Sequence, residues 1–394
     1  MDAELHSSPH PLTPPHPEDY RLSWLRLLRS RRVGIATFYR LMAEHGSAAE
    51  ALKELPKIAK SAGVRDYSPF SVEAAEAELL AGALAGAELI AIGSPHYPSE
   101  LADIADAPPL LWAIGDLTLT SRETVSIVGA RNASSLGLRM AKSLSAGVGE
   151  AGTVVVSGLA RGIDTAAHLA ALETGTIAVL AGGVDVVYPA ENASLAQEIA
   201  EKGLRLSEQP MGMKPFARHF PVRNRIISGF SRAVVVVEAA ARSGSLTTAR
   251  NALDQGRDVL AVPGHPFDAR ASGCNMLLRD GATLVRGPAD VLEVLAGGAY
   301  PVVIEDLAEN APAPTLPAAT SDDSGPAAPP QERSLKQTAA LHTVILNRLS
   351  PSPMAEDQLI RDLEISARDI APELLNLELE GKITRQPGGL LSRS

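Results

Sequence analysis

Between Thr124 and about Ala296 the apolar residues fall into short β-branched runs separated by stretches with helical spacing. The runs are TVSIVGA, TVVVSG, TIAVLAGG, RAVVVVEA and DVLAVPG, with weaker ones at Leu204 and Ala282. Strands that are apolar almost without interruption are buried on both faces, the mark of parallel βαβ units. The pattern predicts an α/β fold, a doubly wound, mostly parallel sheet that receives ligands at the carboxyl ends of its strands. This domain is bounded at about residues 90–300.

Flanking segments follow other rules. From Tyr20 to Leu89 apolar residues recur at helical spacing (Leu22, Leu25, Leu28; Phe38, Leu41, Met42), broken by Gly34, Gly46, Pro56 and Gly63. They predict a small bundle of short helices, of the SAM or helix-hairpin-helix kind. Residues 1–19 hold five prolines and three histidines (His6, His10, His16) and read as a disordered tail whose irregular spacing suits no metal. A Pro/Ala-rich linker spans 301–333, clearest over Glu309–Pro330. Residues 334–394 then give three helical stretches, around Leu341–Leu349, Met354–Leu363 and Ser366–Glu380, closed by the hairpin KITRQPGGLLS, a winged-helix pattern.

The chain of 394 residues carries 36 Lys plus Arg against 46 Asp plus Glu, a formal charge of −10. Uniform coating of a polyanion or an acidic membrane is therefore disfavoured, and any such contact must come from a local patch. The helical segment Tyr20–Arg65 is one such patch, with ten cations against Glu44, Glu50 and Glu54, although a solvated face explains that surplus equally well. Cys274 is the single cysteine, which excludes an intramolecular disulfide and suits a reducing cytoplasm. No apolar stretch approaches the roughly 20 residues that span a bilayer, so a soluble cytoplasmic protein is expected.

The loops that follow the strands carry the candidate chemistry. They are Gly129-Ala130-Arg131-Asn132, Ser157-Gly158-Leu159-Ala160-Arg161-Gly162, Ala181-Gly182-Gly183 and Ser243-Gly244-Ser245-Leu246-Thr247-Thr248. Glycine admits a ligand close to the backbone, and the helix N-terminus behind each loop favours an anion, phosphate above all. A P-loop G-x-x-x-x-G-K-[ST] and a dinucleotide G-x-G-x-x-G are both missing, which removes the main support for nucleotide hydrolysis and NAD chemistry. The stretch Lys214–Arg232 holds Lys214, Arg218, Arg223, Arg225 and Arg232 with no acid. It reads as one wall of a polyanion groove, or, for Arg223 and Arg225, as structural ion pairs that fix a loop.

Catalytic machinery is scarce. In DTAAH, Asp164 and His168 read as a capping aspartate with a packed imidazole, or as an acid/base pair with no nucleophile beside it. His219 and His265 flank prolines, Ser243 and Ser245 lack a base, Glu238 is a lone carboxylate, and Cys274 reads as a buried inert residue. Neither a cofactor nor a metal ion is implied.

Six stretches strongly resemble the bacterial DNA-processing protein A (DprA/Smf) family: IVGARNAS from Ile127, SGLARGIDTAAH from Ser157, AGGVDVVYPAEN from Ala181, FPVRNRIISGFS from Phe220, VVEAAARSGSLTTARNALDQGRDVLAVPG from Val236, and SGCNMLLRDGA from Ser272. The resemblance implies a Rossmann-like core that binds single-stranded DNA without sequence preference and helps load RecA recombinase during uptake of transforming DNA. It also implies a homodimer without enzymatic activity. By position, Arg131 becomes the leading phosphate contact, backed by Gly129 and Asn132. Ser157, Gly158, Arg161, Gly182 and Gly183 line the same groove, Ser243 and Gly244 join it, and Arg223, Asn224 and Arg225 supply its other wall. Phe220 and Tyr188 are the stacking candidates. Ala190 stands after Tyr188-Pro189 where some relatives carry lysine, so one cation is missing.

Two rivals share the sheet class: a nucleoside monophosphate phosphoribohydrolase-like enzyme, whose P-G-G-x-G-T loop is missing here, and a nucleotide-responsive scaffold. The expected recognition helix of the winged module, Arg368–Lys382, carries Asp369, Glu373, Glu378 and Glu380, which argues for a protein-facing role or weak DNA contact.

Overall fold

A computed structural model describes residues 19–297, 335–363, 365–386 and 390–393. Residues 1–18 of the expected tail (1–19) and the expected linker lie outside the described residues, and Asp19 opens the first helix instead. The chain forms two compact units that divide after Val291.

The first unit opens with helices α1 (Asp19–Arg29), α2 (Ile35–His45), α3 (Ala48–Ser61) and α4 (Val72–Leu84). Their ends follow local chemistry. The hydroxyl of Ser47 accepts from Glu50 N at the start of α3, that of Ser71 accepts from Ala74 N at the start of α4, and Gly46, at φ 73°, closes α2 in the left-handed region. Trp24, Phe38, Leu41, Ala51 and Leu55 form the inner face, continuous with the core beneath the sheet.

Nine strands follow: β1 (Glu88–Ala91), β2 (Leu110–Gly115), β3 (Thr124–Val128), β4 (Val154–Ser157), β5 (Thr176–Val179), β6 (Leu204–Ser207), β7 (Ala233–Val236), β8 (Asp258–Ala261) and β9 (Thr283–Leu284). Their order is β1-β2-β6-β5-β4-β3-β7-β8-β9. The pairs β1/β2 and β2/β6 are antiparallel and all others parallel. The five strong runs and both weak ones are strands as expected, and Val154, Val155, Val156, Val234 and Val235 are fully buried. The antiparallel pair β1/β2, which carries the sheet towards the helical module, is not among the expected strands.

Between them lie α5 (Ser99–Ala102), α6 (Ser135–Glu150), α7 (Ile163–Ala171), α8 (Ala193–Lys202), α9 (His219–Phe230), α10 (Ser245–Asp254) and α11 (Ser272–Arg279), and α12 (Pro288–Leu295) follows β9. The chain winds outward from β3 through β4 and β5 to β6, then crosses back to β7 and continues to β8. With right-handed crossovers, α6, α7 and α8 cover one face while α9 and α10 cover the other. Their loops therefore diverge above β3 and β7, which opens a crevice there.

The second unit contains α13 (Leu335–Arg348), α14 (Glu356–Leu363) and α15 (Ala367–Leu379), with β10 (Met354–Ala355), β11 (Ile383–Gln386) and β12 (Leu390–Arg393) in the order β10-β12-β11. This is the winged helix expected from the sequence, built on Ile345, Leu359, Ile370, Leu374, Leu377 and Leu391. Met354 and Ala355 pair with β12 rather than opening α14.

The helical module is tied to the sheet by a buried polar joint. Trp112 Nε1 on β2 donates to Glu78 Oε1 at 3.0 Å, and Arg29 Nη2 donates to the same oxygen at 2.8 Å. Gly82 lets the indole lie against α4, since a Cβ there would come within 2.3 Å of the ring. Replacing Glu78→Ala removes the acceptor of the Trp112 indole N–H and leaves the half-buried Arg29 guanidinium with Glu208 O, at 3.4 Å from Nη1, in place of its carboxylate. Denaturant unfolding should show a loss of about 2–4 kcal/mol, and a change under 0.5 kcal/mol, the ordinary surface range, would disprove the joint's importance.

Candidate nucleic-acid interface

The turn after β3 is held by close packing. A Cβ on Gly129 would come within 2.6 Å of Ile163 on α7, and Gly162, at φ 79°, presses against the carbonyls of Ala130 and Arg131. Ser245 Oγ donates to Gly129 O at 2.7 Å, which fixes the start of α10 beside this turn. Arg131 and Asn132 are left exposed at the rim. The guanidinium carbon of Arg131 lies 5.2 Å from the centroid of Phe220, whose ring lies 5.7 Å from that of the half-exposed Tyr188.

Two cavities meet at Arg131 and Phe220. The larger, about 590 Å³, occupies the crevice above β3 and β7 and is lined by Arg131, Asn132, Phe220, Arg223, Asn224, Arg242, Ser243, Gly244 and Arg270, among others. Asp164 is the one acid in that lining, so cations dominate it. The N-terminus of α10 adds the positive end of the helix dipole, although its first amides are taken by the turn before it: Ser245 N donates to Ser243 Oγ at 3.3 Å and Leu246 N to Ser243 O at 3.1 Å. The smaller cavity, about 270 Å³, is lined by Gly158, Arg161, Tyr188 and Glu191. Arg161 is exposed there, and its Nε lies 3.5 Å from Glu191.

Beneath the rim the charges are buried. Arg223 is 5% exposed, donates from Nη1 to Val179 O at 2.6 Å, and fills the space that a side chain at Gly158 would need. Burial lowers its pKa to about 10, against the opposing attraction of Asp164. Asp164 accepts from the amides of Gly158 and Ala160 at 3.1 and 3.3 Å, and its own pKa is raised by burial. His168 Nε2 accepts from Leu159 N at 3.3 Å, so Nδ1 carries the proton and donates to Thr176 Oγ1 at 2.7 Å. Leu159 needs that support, because at φ 55° it occupies the left-handed region, which costs a non-glycine residue about 1–2 kcal/mol. Asn192 Nδ2 secures its carbonyl at 2.9 Å. The packed imidazole expected from DTAAH is present, but Asp164 does not cap α7: it is the second residue of that helix and holds the amides of the loop before it, while the N-cap Gly162 makes no side-chain bond.

Several sequence candidates sit elsewhere. Arg225 is buried on the side of α9 facing the helical module, where Nη2 pairs with Glu208 and Nε lies 3.3 Å from Asp106. It is a structural ion pair, not a groove wall. Ser157 is fully buried and donates to Ile127 O at 2.7 Å, joining β4 to β3. Gly182 and Gly183 line neither cavity, because the segment after β6 packs directly on them: Gly183 N donates to Met213 O at 2.8 Å, and a Cβ on Gly182 would come within 2.6 Å of the same oxygen. Glu238 accepts from Ser134 N at 2.9 Å at the start of α6 and lies outside both linings. Cys274 is buried, its thiol pushed up to about 12 by desolvation.

Arg242 belongs to the basic stretch of the sequence once that stretch is widened to Gly256, where it stands with Arg250 against Glu238 and Asp254, whereas Arg270 is not among the sequence candidates. Arg270 follows β8 and pairs with Asp268 at 3.0 Å. The criterion of cations in strand-edge loops, applied to β8, points to it. In the helical module, Lys53 with Glu50, Lys57 with Glu54 and Arg40 with Glu44 form surface pairs, so its charge surplus is partly neutralised. In the winged module, Glu373 pairs with His342, Glu378 with Arg385 and Glu380 with Lys382, leaving Leu375 and Leu379 as exposed apolar positions. Among the described residues no group of three or more His, Cys, Asp or Glu is placed to hold a metal ion, and no helix is long and apolar enough to cross a membrane.

A doubly wound sheet with an arginine-lined crevice at its switch point defines a Rossmann-like protein. Comparison with known proteins gives the family. Residues 88–296 match the DNA recombination-mediator protein A family, residues 18–81 the DprA-like N-terminal HHH domain, and residues 327–389 the DprA winged helix domain. DNA processing protein DprA of Streptococcus pneumoniae is 48% identical over 198 residues, 50% of this chain and 70% of that one. Protein Smf of Escherichia coli is 36% identical over 304 residues, 76% of each chain. The X-ray structure of the S. pneumoniae protein superposes with a TM-score of 0.57 at 37% identity, covering 69% of this chain and 95% of that one. A structure of DNA processing protein A from Helicobacter pylori, described for its single-stranded DNA binding mode, gives 0.50 at 28% identity, covering 54% and 97%. The chain belongs to the DNA-processing protein A (DprA/Smf) family.

His168 makes acid stability a test of the site's interior. Burial, reinforced by Arg223, lowers its pKa from 6.5 to about 3. The unfolded chain therefore takes up a proton that the folded one refuses. This contribution to stability is intact above pH 6.5 and disappears as pH falls towards 3. A His168→Gln variant should be less stable at pH 7 and lose less stability between pH 6.5 and 4 than the parent. Parallel stability curves would refute a neutral buried imidazole.

Proposed function

We propose that the chain binds single-stranded DNA without sequence preference in the crevice above β3 and β7. It acts as a non-enzymatic mediator in the cytoplasm, a homodimer that loads RecA recombinase onto incoming DNA. The observation that carries the binding reading is the position of Arg131: exposed, stacked on Phe220, and shared by both cavities. A flexible strand is held by cations along its phosphates and by rings beneath its bases, neither of which needs a sequence code. Arg131, Arg161 and Arg242 are exposed on the cavity walls, and Arg218 is exposed on the segment leading into α9. Arg223 and Arg225, first expected to touch phosphates, give way to these side chains. Family membership and the H. pylori relative support the same ligand. The RecA and dimer surfaces have no residues assigned.

Oligo(dT) titration by fluorescence anisotropy tests this reading. Four phosphate contacts imply a slope of about −3 in log affinity against log salt. Arg131→Glu should weaken binding at least ~10-fold, as expected for loss of a charged contact worth about 1.5–3 kcal/mol, and flatten the slope. Unchanged capture by Arg131→Glu together with Arg242→Glu would overturn the proposal. Effective competition by a nucleoside monophosphate would favour the phosphoribohydrolase or sensor alternatives, and failure to speed RecA filament assembly would remove the mediator role alone.

Removing residues 334–394 should leave the affinity for oligo(dT) within about two-fold, because α15 carries Asp369, Glu373 and Glu378 against Arg368, an acidic excess that weighs against a phosphate contact there. A larger loss would assign DNA binding to the winged helix.

A further inference from the structure

The connection from β8 to α11 brings Arg270 to the crevice and holds, three residues earlier, a phenyl ring with no apolar cover. Phe267 is 89% exposed, more than any other large apolar side chain among the described residues. Its backbone is nevertheless fixed. Asn275 brackets Gly264, accepting from its amide at 3.2 Å and donating to its carbonyl at 3.0 Å. Asp268 N donates to His265 O at 2.9 Å, and Phe267 N donates to His265 Nδ1 at 3.3 Å. The imidazole of His265 lies 5.6 Å from the Phe267 ring at a tilt of 43°. The buried Asp268 carboxylate holds the amide and the guanidinium of Arg270 at 2.9 and 3.0 Å, linking the loop to the crevice wall.

The strand order places this ring relative to the rest of the site. Along the carboxyl edge, the connection after β5 carries Tyr188, that after β3 carries Arg131, that after β7 carries Arg242 and that after β8 carries Phe267. From β5 to β8 is four strand steps, about 19 Å at the usual spacing of ~4.8 Å. Rings therefore stand at both ends of the row and guanidinium groups in the middle.

We propose that Phe267, with His265 beside it, is a second base-stacking platform, at the opposite end of the crevice from Tyr188 and Phe220. Its ligand is an unpaired base of the same strand whose phosphates cross the arginines. The inference rests on the single-strand reading of the crevice and adds an end to it. Stacking on an exposed aromatic tolerates any base, in keeping with binding that lacks a sequence code.

The test uses the full chain. Because the ring contacts little of the protein, Phe267→Ala should fold normally. It should weaken oligo(dT) binding about ten-fold while leaving the salt slope unchanged, since no phosphate contact is lost. With an oligonucleotide of abasic sites, parent and variant should bind alike. Phe267→Trp should retain affinity and lose fluorescence on binding, against a steady background from Trp24 and Trp112, each only 2% exposed. If Phe267→Ala binds like the parent and the emission of Phe267→Trp is unmoved while Arg131→Glu still loses binding, the platform is wrong and the crevice reading stands. If Arg131→Glu also binds like the parent, the crevice reading fails and the platform with it.

Discussion

The central strands β3, β4, β5 and β7 are buried on both faces, and that burial dictates where this chain can do chemistry. Helices cover the faces and neighbouring strands use the backbone hydrogen bonds, so these central strands meet solvent only at their ends. Winding outward from β3 and then back to β7 makes the following loops diverge, and the gap between them is the crevice. Glycine is needed there because two of these loops lie in backbone contact: Gly162 meets the carbonyls of Ala130 and Arg131, and Gly129 meets Ile163. The side chain that this contact pushes outward is Arg131.

The two arginines of Arg223-Asn224-Arg225 illustrate what a linear reading cannot separate. Neighbours two apart on a helix differ by about 200° around its axis, so they face opposite ways. Arg223 turns towards Val179 O and Gly158 under the crevice, whereas Arg225 turns towards Glu208 and Asp106 at the joint with the helical module. A positive cluster in sequence is thus one buried charge for the site and one for the scaffold. Asn224, between them, adds an uncharged donor to the crevice lining, bonded to Gly244 O at 3.3 Å, beside the buried Arg223.

The same geometry explains how far the sequence carried. Fully buried parallel strands announce themselves by β-branched runs, and the glycine turns behind them marked the correct edge of the sheet. The pair β1/β2 was not legible, because ELIA and LLWAIG contain few β-branched residues and no regular alternation. Glycine itself was ambiguous. At Gly129 it admits the side chain of Ile163 beside the crevice, whereas at Gly182 and Gly183 it admits the backbone of the segment after β6. Nothing in the local sequence distinguishes a glycine that packs the rim of a crevice from one that packs the chain away from it. Arg270 was passed over because its loop, PGHPFDAR, places the cation late, after two prolines and an aromatic that do not resemble a phosphate turn.

A formal charge of −10 and a cationic crevice are compatible because the two act over different distances. At physiological ionic strength the Debye length is about 8 Å, so acids scattered over the outer surface are screened from a ligand inside the crevice. The low-dielectric walls screen much less, and there the local arginines determine the potential. Arg223 contributes to that potential without touching solvent, but the adjacent Asp164 offsets much of it. On the proposed reading, the exposed arginines are therefore the ones that displace counterions from the single strand. The buried pair holds the loops at the spacing from which those arginines act.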